Sequence, residues 1–246
     1  MQGMSNVEQT VSIMDIDFLN KTKADFLEEC LYYRLQQGKK CFVVTANPEI
    51  VMKAREDAGY KGIIQSADYI VPDGVGILLA AKIMKQPLQE RIAGSDLMMD
   101  LLGFAEEQGL SCYFLGAEPD VNDQAVREAL KKFPHLKVAG HHHGFFSDDD
   151  QVAETVQQSR PDIILVALGF PRQEEWIAKH IGTFEKGVFI GVGGSLDILA
   201  GKVKRAPEKW IKFNLEWLYR ILQQPFRVKR IVKVFEFMIR IVFKRK

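Results

Sequence analysis

The sequence has few cysteines and no long apolar run, and each shortage excludes a class of protein. Its three cysteines, Cys30, Cys41 and Cys112, lie far apart without CxxC spacing, which argues against a disulfide framework and favours buried thiols in a reducing cytoplasm. The N-terminal residues show no basic segment followed by an apolar core, so we expect no signal peptide. No apolar run reaches the roughly 18–20 residues of a membrane-spanning helix.

Net charge is also nearly absent, but only as an average over the chain. The 246 residues carry a net charge of +1, yet residues 202–246 hold 14 Lys and Arg against 3 Glu. This basic segment, the tail, has a charge of +11, whereas the body, residues 1–201, has a charge of −10. An acidic body with a basic, apolar tail predicts one globular domain that meets an anionic surface at one end.

In the body, short apolar runs alternate with helical patterns. The runs that predict strands are 41–45, 69–71, 112–115, 163–168 and 188–192, with weaker candidates at 12–16 and 137–139. The helical patterns are 23–37, 48–58, 76–84, 95–107, 122–132 and 173–180. Continuous apolar strands separated by helices predict an α/β fold in which a parallel sheet has helices on both faces.

The tail predicts two amphipathic helices, interrupted at Pro225. The apolar positions of the second helix are Val228, Ile231, Val232, Phe235, Met238, Ile239 and Val242, and Lys or Arg residues occupy the opposite sector. This pattern is typical of a helix in a membrane interface, although a helix packed on its own domain or on a partner subunit remains an alternative. Nucleic-acid binding is disfavoured because the apolar face is continuous and no nucleic-acid motif occurs elsewhere.

Ligands of an open parallel sheet bind beyond the carboxyl ends of the strands. Five predicted strands end in loops with Gly or short polar residues, at 46–49, 72–76, 116–118, 169–174 and 191–197. These loops predict one shared crevice. Asp73, between Pro72 and Gly74, is placed to act as a general base or, equally, to cap the following helix.

Other polar residues of these loops also allow two interpretations. The loop 191–197 resembles a phosphate cradle leading into a helix near Ser195, but a tight strand-to-helix turn explains it as well. Asp197 could bond a nucleoside or only favour the first helical turn. Arg91 could neutralise a phosphate or pair with an acid, and Gln173 could bond a sugar or face solvent.

We expect neither a metal site nor a cofactor. The neighbouring side chains of His141, His142 and His143 would point to opposite faces of a strand, and no partners occur at ligand spacing. Residues 148–150 are better explained as a helix N-terminus. A nicotinamide cofactor is disfavoured because the first strand has no Gly-rich turn.

Seven segments, in chain order, together resemble the WecG/TagA/CpsF glycosyltransferase family. They are 45–49 (TANPE), 71–76 (VPDGVG), 90–94 (ERIAG), 114–117 (FLGA), 167–174 (ALGFPRQE), 191–197 (GVGGSLD) and 203–207 (VKRAP). The match extends from about residue 12 to 230, and 214–220 (NLEWLYR) resembles the appendage of the TagA type. The set as a whole is specific, although each segment alone is not.

The resemblance implies a Rossmann-like catalytic domain, residues 1–201, and a basic helical membrane-binding appendage, residues 202–246. It implies metal-independent, inverting transfer of a sugar from a UDP donor to an undecaprenyl-diphosphate-linked sugar at the inner face of the cell membrane. For the TagA type, the donor is UDP-N-acetylmannosamine and the acceptor GlcNAc-diphosphate-undecaprenol, in wall teichoic acid synthesis. The alternatives are another UDP-sugar donor, such as a hexuronate whose charge Arg172 could meet, and a non-catalytic nucleotide-binding protein recruited to membranes.

The resemblance also assigns roles by motif. Asp73 would deprotonate the acceptor hydroxyl, while Thr45, Asn47 and Gln173 would hold a sugar. The expected UDP-binding residues are Gly116, Ala117, Gly191, Gly193, Gly194, Ser195 and Asp197. The residues expected to meet diphosphates are Arg91, Arg220, Arg227 and Arg230. We also expect the apolar tails to associate into a homo-oligomer away from the membrane.

Overall fold

The computed structural model describes residues 9–207, 209–210, 216–223 and 228–243. Its strands are β1 Thr10–Ile13, β2 Ile16–Leu19, β3 Cys41–Ala46, β4 Tyr69–Pro72, β5 Ser111–Gly116, β6 Lys137–His142, β7 Ile163–Ala167 and β8 Val188–Gly191. The first helix, α1, covers 23–36, with a π-helical stretch at Phe26–Tyr32. The other helices are α2 Pro48–Glu56, α3 Ala58–Gln65, α4 Val75–Ile83, α5 Gly94–Gln108, α6 Pro119–Lys132, α7 Asp149–Gln158, α8 Arg172–His180, α9 Ser195–Leu199, α10 Glu216–Gln223 and α11 Val228–Phe243.

Six strands form one parallel sheet in the order β4-β3-β8-β7-β5-β6. The last strand in sequence, β8, lies between β3 and β7. Strands β3, β4, β7 and β8 are buried along their whole length because helices cover both faces, which explains their continuous apolar sequences. The predicted α/β fold with a parallel sheet is confirmed.

The N-terminal strand predicted at residues 12–16 is wrong. Met14 and Asp15 both have positive φ angles, 51° and 64°, and form a two-residue turn. The segment therefore folds into the antiparallel pair β1–β2, with Ile13 opposite Ile16. Tight hairpin turns need positive φ, but Met-Asp lacks the usual Asn-Gly signal, so the turn was not predicted.

The helix predicted at residues 48–58 also ends early, at Glu56. Asp57 has extended backbone angles, and its side chain accepts a hydrogen bond from the backbone N–H of Tyr60 at 3.1 Å. This cap starts the separate helix α3. The three cysteines are buried and form no disulfide, as expected, and burial raises the pKa of Cys112.

The tail helix α11 lies against α2 and α4 of the body. Phe237 and Ile241 are buried in the core there, and Lys233 Nζ pairs with Glu56 at 2.6 Å. A different strip, Val232, Phe235, Ile239 and Val242, is 51–66% exposed. The helix therefore packs on its own domain along one strip and presents a second apolar strip outward. This combination was not among the two alternatives considered from the sequence.

Within the described ranges, no helix is long and apolar enough to cross a membrane. Arg227 lies outside the described residues, as do the side chains of Arg220 and Arg230. The expected diphosphate contacts of these three arginines therefore stay predictions, as does the domain boundary between residues 201 and 202.

Candidate active site

Asp73 lies directly beyond the carboxyl end of β4. Its backbone N–H donates to the carbonyl of Ala46 at 2.9 Å, which extends the pairing of β4 with β3 into the loop. The residue that caps α4 is Gly74, with a φ of 94°, and no side chain completes this cap. Asp73 therefore does not occupy the N-cap position, which was the structural alternative to a general base. Its side chain is 28% exposed at the edge of the crevice.

Arg91 connects Asp73 to the tail. Its Nε atom is 3.4 Å from Asp73 Oδ1, and its Nη2 atom donates to Glu216 Oε2 on α10 at 2.6 Å. Burial alone lowers the pKa of Arg91, but the two carboxylates outweigh burial and hold this pKa above its ordinary value. Arg91 is thus a partly buried, permanently charged group beside the candidate base.

Thr45 and Asn47 lie at the neighbouring end of β3. The hydroxyl of Thr45 donates to the carbonyl of Gly191 at 3.1 Å, which ties the end of β3 to that of β8. Asn47 caps α2, since its Oδ1 accepts from the N–H groups of Glu49 at 2.9 Å and Ile50 at 3.1 Å. This leaves the side-chain nitrogen of Asn47 as the atom that can donate to a ligand.

Gln173 is buried at the start of α8, only 5% exposed, so it does not face solvent. Its Oε1 accepts from the N–H of Gly193 at 3.1 Å, and its Nε2 donates to Glu174 Oε1 at 2.7 Å. The hydroxyl of Tyr60 donates to Glu174 Oε2 at 3.0 Å. Gln173 therefore fixes the loop after β8, and Glu174 in turn fixes the amide of Gln173.

Sequence reasoning assigned no role to Glu174. Burial raises the pKa of Glu174 to about 7, although the hydrogen bonds from Gln173 and Tyr60 oppose this shift. The carboxyl was missed because an acid in the first turn of a helix is ordinary on any surface helix. Nothing local marks Tyr60, 114 positions away, as its partner.

We expect Glu174→Gln to flatten the pH dependence of stability. In the folded state Glu174 keeps its proton up to about pH 7, whereas its ordinary pKa is 4.5, so the folded state binds more protons between these values. Its contribution to stability is therefore full below pH 4.5 and is lost as the pH rises through 7. Relative to the wild type, the variant should gain about 2–3 kcal/mol between about pH 5 and pH 8.

The measurement is urea unfolding at several pH values. Glu175→Gln is the matched control, because Glu175 is the exposed neighbour on the same turn. This variant should leave the pH dependence of the free energy of unfolding almost unchanged. If the free energy of unfolding changes equally with pH in the wild type and in Glu174→Gln, Glu174 is ionised already at low pH.

The loop after β5 is held tightly against the end of β7. Gly116 has a φ of 121°, and a Cβ atom there would lie 2.4 Å from the backbone of Ala167. The N–H of Ala117 donates to the carbonyl of Ala167 at 3.0 Å. Buried Asn122 donates from Nδ2 to the carbonyl of Gly116 at 2.9 Å, and its Oδ1 accepts from His141 Nδ1 at 2.9 Å. Sequence reasoning did not single out Asn122.

The loop after β8 is shaped by its own hydrogen bonds. The hydroxyl of buried Ser195 donates to the carbonyl of Val192 at 2.6 Å, and Gly193 has a φ of 49°. Gly194 precedes α9, a helix of only five residues that contains Asp197. The helix expected near Ser195 is therefore present, but it is a single short turn.

Two further groups have mainly structural contacts. Asp148 caps α7 by accepting from the N–H groups of Asp150 and Gln151, as predicted. Arg172 donates to the carbonyls of Gly144 at 2.6 Å and Phe146 at 3.3 Å. Over the ranges that the structure describes, no three His, Cys, Asp or Glu residues are grouped as a metal site.

The sheet order brings the predicted site residues to one edge. Asp73, Thr45 and Gly191 follow or end the adjacent strands β4, β3 and β8. Gln173 packs against Gly191, since a Cβ atom on that glycine would lie 2.6 Å from Gln173 Nε2. Gly116 continues the same edge at β5, one strand beyond β7.

The motifs along this edge have a counterpart in known proteins. The sequence profile of the glycosyl transferase WecG/TagA/CpsF family matches residues 11–246. The chain belongs to this family. It is therefore a glycosyltransferase, and the seven segments that carried the resemblance lie within the matched region.

Curated relatives cover most of the chain. The N-acetylglucosaminyldiphosphoundecaprenol N-acetyl-beta-D-mannosaminyltransferase of Bacillus spizizenii is 39% identical over 92% of this chain and 88% of its own length. The enzyme of the same name from Bacillus subtilis is 36% identical over the same shares. That from Staphylococcus aureus is 40% identical over 94% of this chain and 91% of its own length.

Proposed function

We propose that the chain transfers N-acetylmannosamine from UDP-N-acetylmannosamine to GlcNAc-diphosphate-undecaprenol, forming the β-1,4 linkage unit of wall teichoic acid. The names of the relatives support this acceptor and this transferred sugar. The observation that carries the mechanism is the carboxylate of Asp73, which lies beside the partly buried Arg91 and outside the N-cap position of α4. A residue of this kind is suited to general-base chemistry.

The proposed reaction is a single inverting displacement without a metal. The acceptor hydroxyl oxygen attacks the anomeric carbon of the donor sugar, and the bond from that carbon to the UDP oxygen breaks. Asp73 takes the proton of the hydroxyl, and UDP leaves with the bonding electron pair. Asn47 and Gln173 are the residues that we propose to orient the sugar next to Asp73.

The leaving diphosphate gathers negative charge as this bond breaks, so fixed donors must stabilise it. The loops at Gly116–Ala117 and 191–195 are the candidate UDP cradle. Because the N–H groups of Ala117 and Gly193 already donate to Ala167 and Gln173, we propose the N–H of Gly194 as the backbone donor. Arg91 supplies a guanidinium, and Arg220, Arg227 and Arg230 of the tail are proposed to complete the diphosphate contacts.

The two alternatives from the sequence make different demands on the site. A hexuronate donor needs a cation near Asp73 or Gln173. Arg172 donates to Gly144 and Phe146 and lies over the Phe146 ring at 4.4 Å, whereas Arg91 lies 3.4 Å from Asp73, so this donor stays an alternative. A non-catalytic nucleotide-binding protein predicts Asp73 as a helix cap, whereas Gly74 occupies that position. The N-cap position of Gly74 supports the catalytic interpretation over the non-catalytic one.

We also propose that the protein works as a peripheral protein on the inner face of the cell membrane. The basic tail and the exposed strip Val232, Phe235, Ile239 and Val242 support this location, because cations meet anionic headgroups while apolar side chains enter the interface. Away from the membrane, the same strip would be covered by association with other copies.

Replacing Phe235 and Ile239 together with serine should weaken binding to phosphatidylglycerol vesicles about 100- to 10,000-fold, since each buried side chain contributes about 1.5–3 kcal/mol. Co-sedimentation with the vesicles measures this. Phe145→Ser is the control, because Phe145 is a 70% exposed phenylalanine on the body. Equal losses in both variants would argue against the tail strip as the membrane contact.

Transfer from UDP-N-acetylmannosamine to a short-chain GlcNAc-diphosphate lipid, assayed in EDTA, tests the proposed function. We expect the β-1,4 disaccharide product without added metal. Product with a different UDP-sugar alone would change the donor, and product that requires a divalent metal would contradict the mechanism. UDP binding without product from any donor would favour the non-catalytic alternative.

A further inference from the structure

The orientation of Arg91 is set by the tail and not by the candidate base. Its Nη2 atom makes the short hydrogen bond, 2.6 Å, to Glu216. The Nε atom approaches Asp73 Oδ1 to 3.4 Å, but within the described residues it has no hydrogen-bond partner. The guanidinium therefore attracts Asp73 by charge while it is hydrogen-bonded elsewhere.

Glu216 is an unusual residue for its position. It is one of 3 acids in a tail with 14 Lys and Arg, and its side chain is only 5% exposed. A buried carboxylate is costly unless a charged partner and hydrogen bonds compensate for its desolvation. The contact with Arg91 supplies that compensation, 125 positions away in sequence.

We propose that Glu216 is a positioning residue that keeps Arg91 beside Asp73 without letting it form a hydrogen-bonded ion pair with the base. This inference rests on the proposed role of Asp73. Without Glu216, Asp73 is the nearest carboxylate to the guanidinium, and a two-bond Arg–Asp pair is the stable arrangement. Such a pair stabilises the charge of Asp73 more than the present contact does, which makes it a weaker base.

The contact also makes the state of the base depend on the tail. When α10 lies on the body, Glu216 holds the guanidinium of Arg91. The Asp73 carboxylate can then take the proton from the hydroxyl of the acceptor sugar. When α10 leaves the body, Arg91 pairs with Asp73 and the base becomes weak. One ion pair thereby links docking of the tail to proton transfer.

Glu216→Gln should lower kcat about 10-fold and shift the acid limb of the kcat profile to lower pH, with little change in the KM for the donor. Glu216→Asp should recover part of the rate because it restores the charge. Glu236→Gln is the control: Glu236 is a tail acid that pairs with Arg240 at 2.7 Å on the same helix. An unchanged kcat and acid limb, or a faster enzyme, would overturn the proposal.

A second experiment does not depend on catalysis. Hydrogen exchange of residues 216–223 is compared in the wild-type protein, Glu216→Gln, Arg91→Gln and the double variant. We expect each single variant to lose protection and the double variant to lose no more than either. Additive losses, or none, would show that the contact does not hold the tail. If the losses of protection are non-additive but the protein makes no product, the contact between Glu216 and Arg91 is supported and the proposed function is rejected.

Discussion

Asp73→Asn should lower kcat about 100- to 10,000-fold, the usual contribution of a general base. Asparagine keeps the shape of the side chain but cannot take the proton of the acceptor hydroxyl. The fold should survive, because Arg91 keeps its 2.6 Å hydrogen bond to Glu216 and the backbone N–H of residue 73 keeps its bond to Ala46. The loss should therefore appear in kcat, with UDP affinity close to that of the wild type.

Single-turnover transfer and UDP titration separate these two quantities. Asp17→Asn is the matched control, because it makes the same chemical change at an exposed position of β2 and should leave the rate unchanged. A rate for Asp73→Asn within about threefold of the wild type would mean that another group, or water, accepts the proton. Asp73 would then act on the substrate only through its charge.

Gly116→Ala should destabilise the protein by about 3 kcal/mol or more, which corresponds to a loss of about 6–12 °C in Tm. Gly116 has a φ of 121°, where an L side chain is strained. Its Cβ atom would also lie 2.4 Å from the carbonyl carbon and oxygen of Ala167, the residue paired with it across β5 and β7. Backbone cannot yield as a flexible side chain does, so the two strands must separate at this end.

Gly62→Ala is the control for this change. Gly62 lies in the middle of α3, and a Cβ atom there meets nothing within 4 Å. Alanine is the better helix former, so this variant should be neutral or more stable by up to about 1 kcal/mol. Calorimetric melting of both variants gives the comparison. Equal Tm values would mean that the loop after β5 can move away from β7 at little cost.

The residues of the crevice could be predicted in part because short-range sequence patterns mark the ends of the strands. Asp73, Thr45 and Gly116 each terminate or follow an apolar run, and parallel strands place such positions on one edge. The sequence alone left Asp73 equally compatible with a helix cap. Gly74, with a φ of 94°, takes the N-cap position itself, which supports the general-base interpretation, and the role of Asp73 stays a prediction.

Local sequence determined the strands of the parallel sheet, most helices, the basic tail and the set of loops that identified the family. These features follow from hydrophobic period, glycine and charge within a few residues of one another. Tertiary structure alone decided that β8 inserts between β3 and β7, that Tyr60 holds Glu174, and that Glu216 reaches Arg91. Contacts across 114 or 125 positions depend on which packed surfaces fit together, and no periodicity within one segment encodes its distant partner.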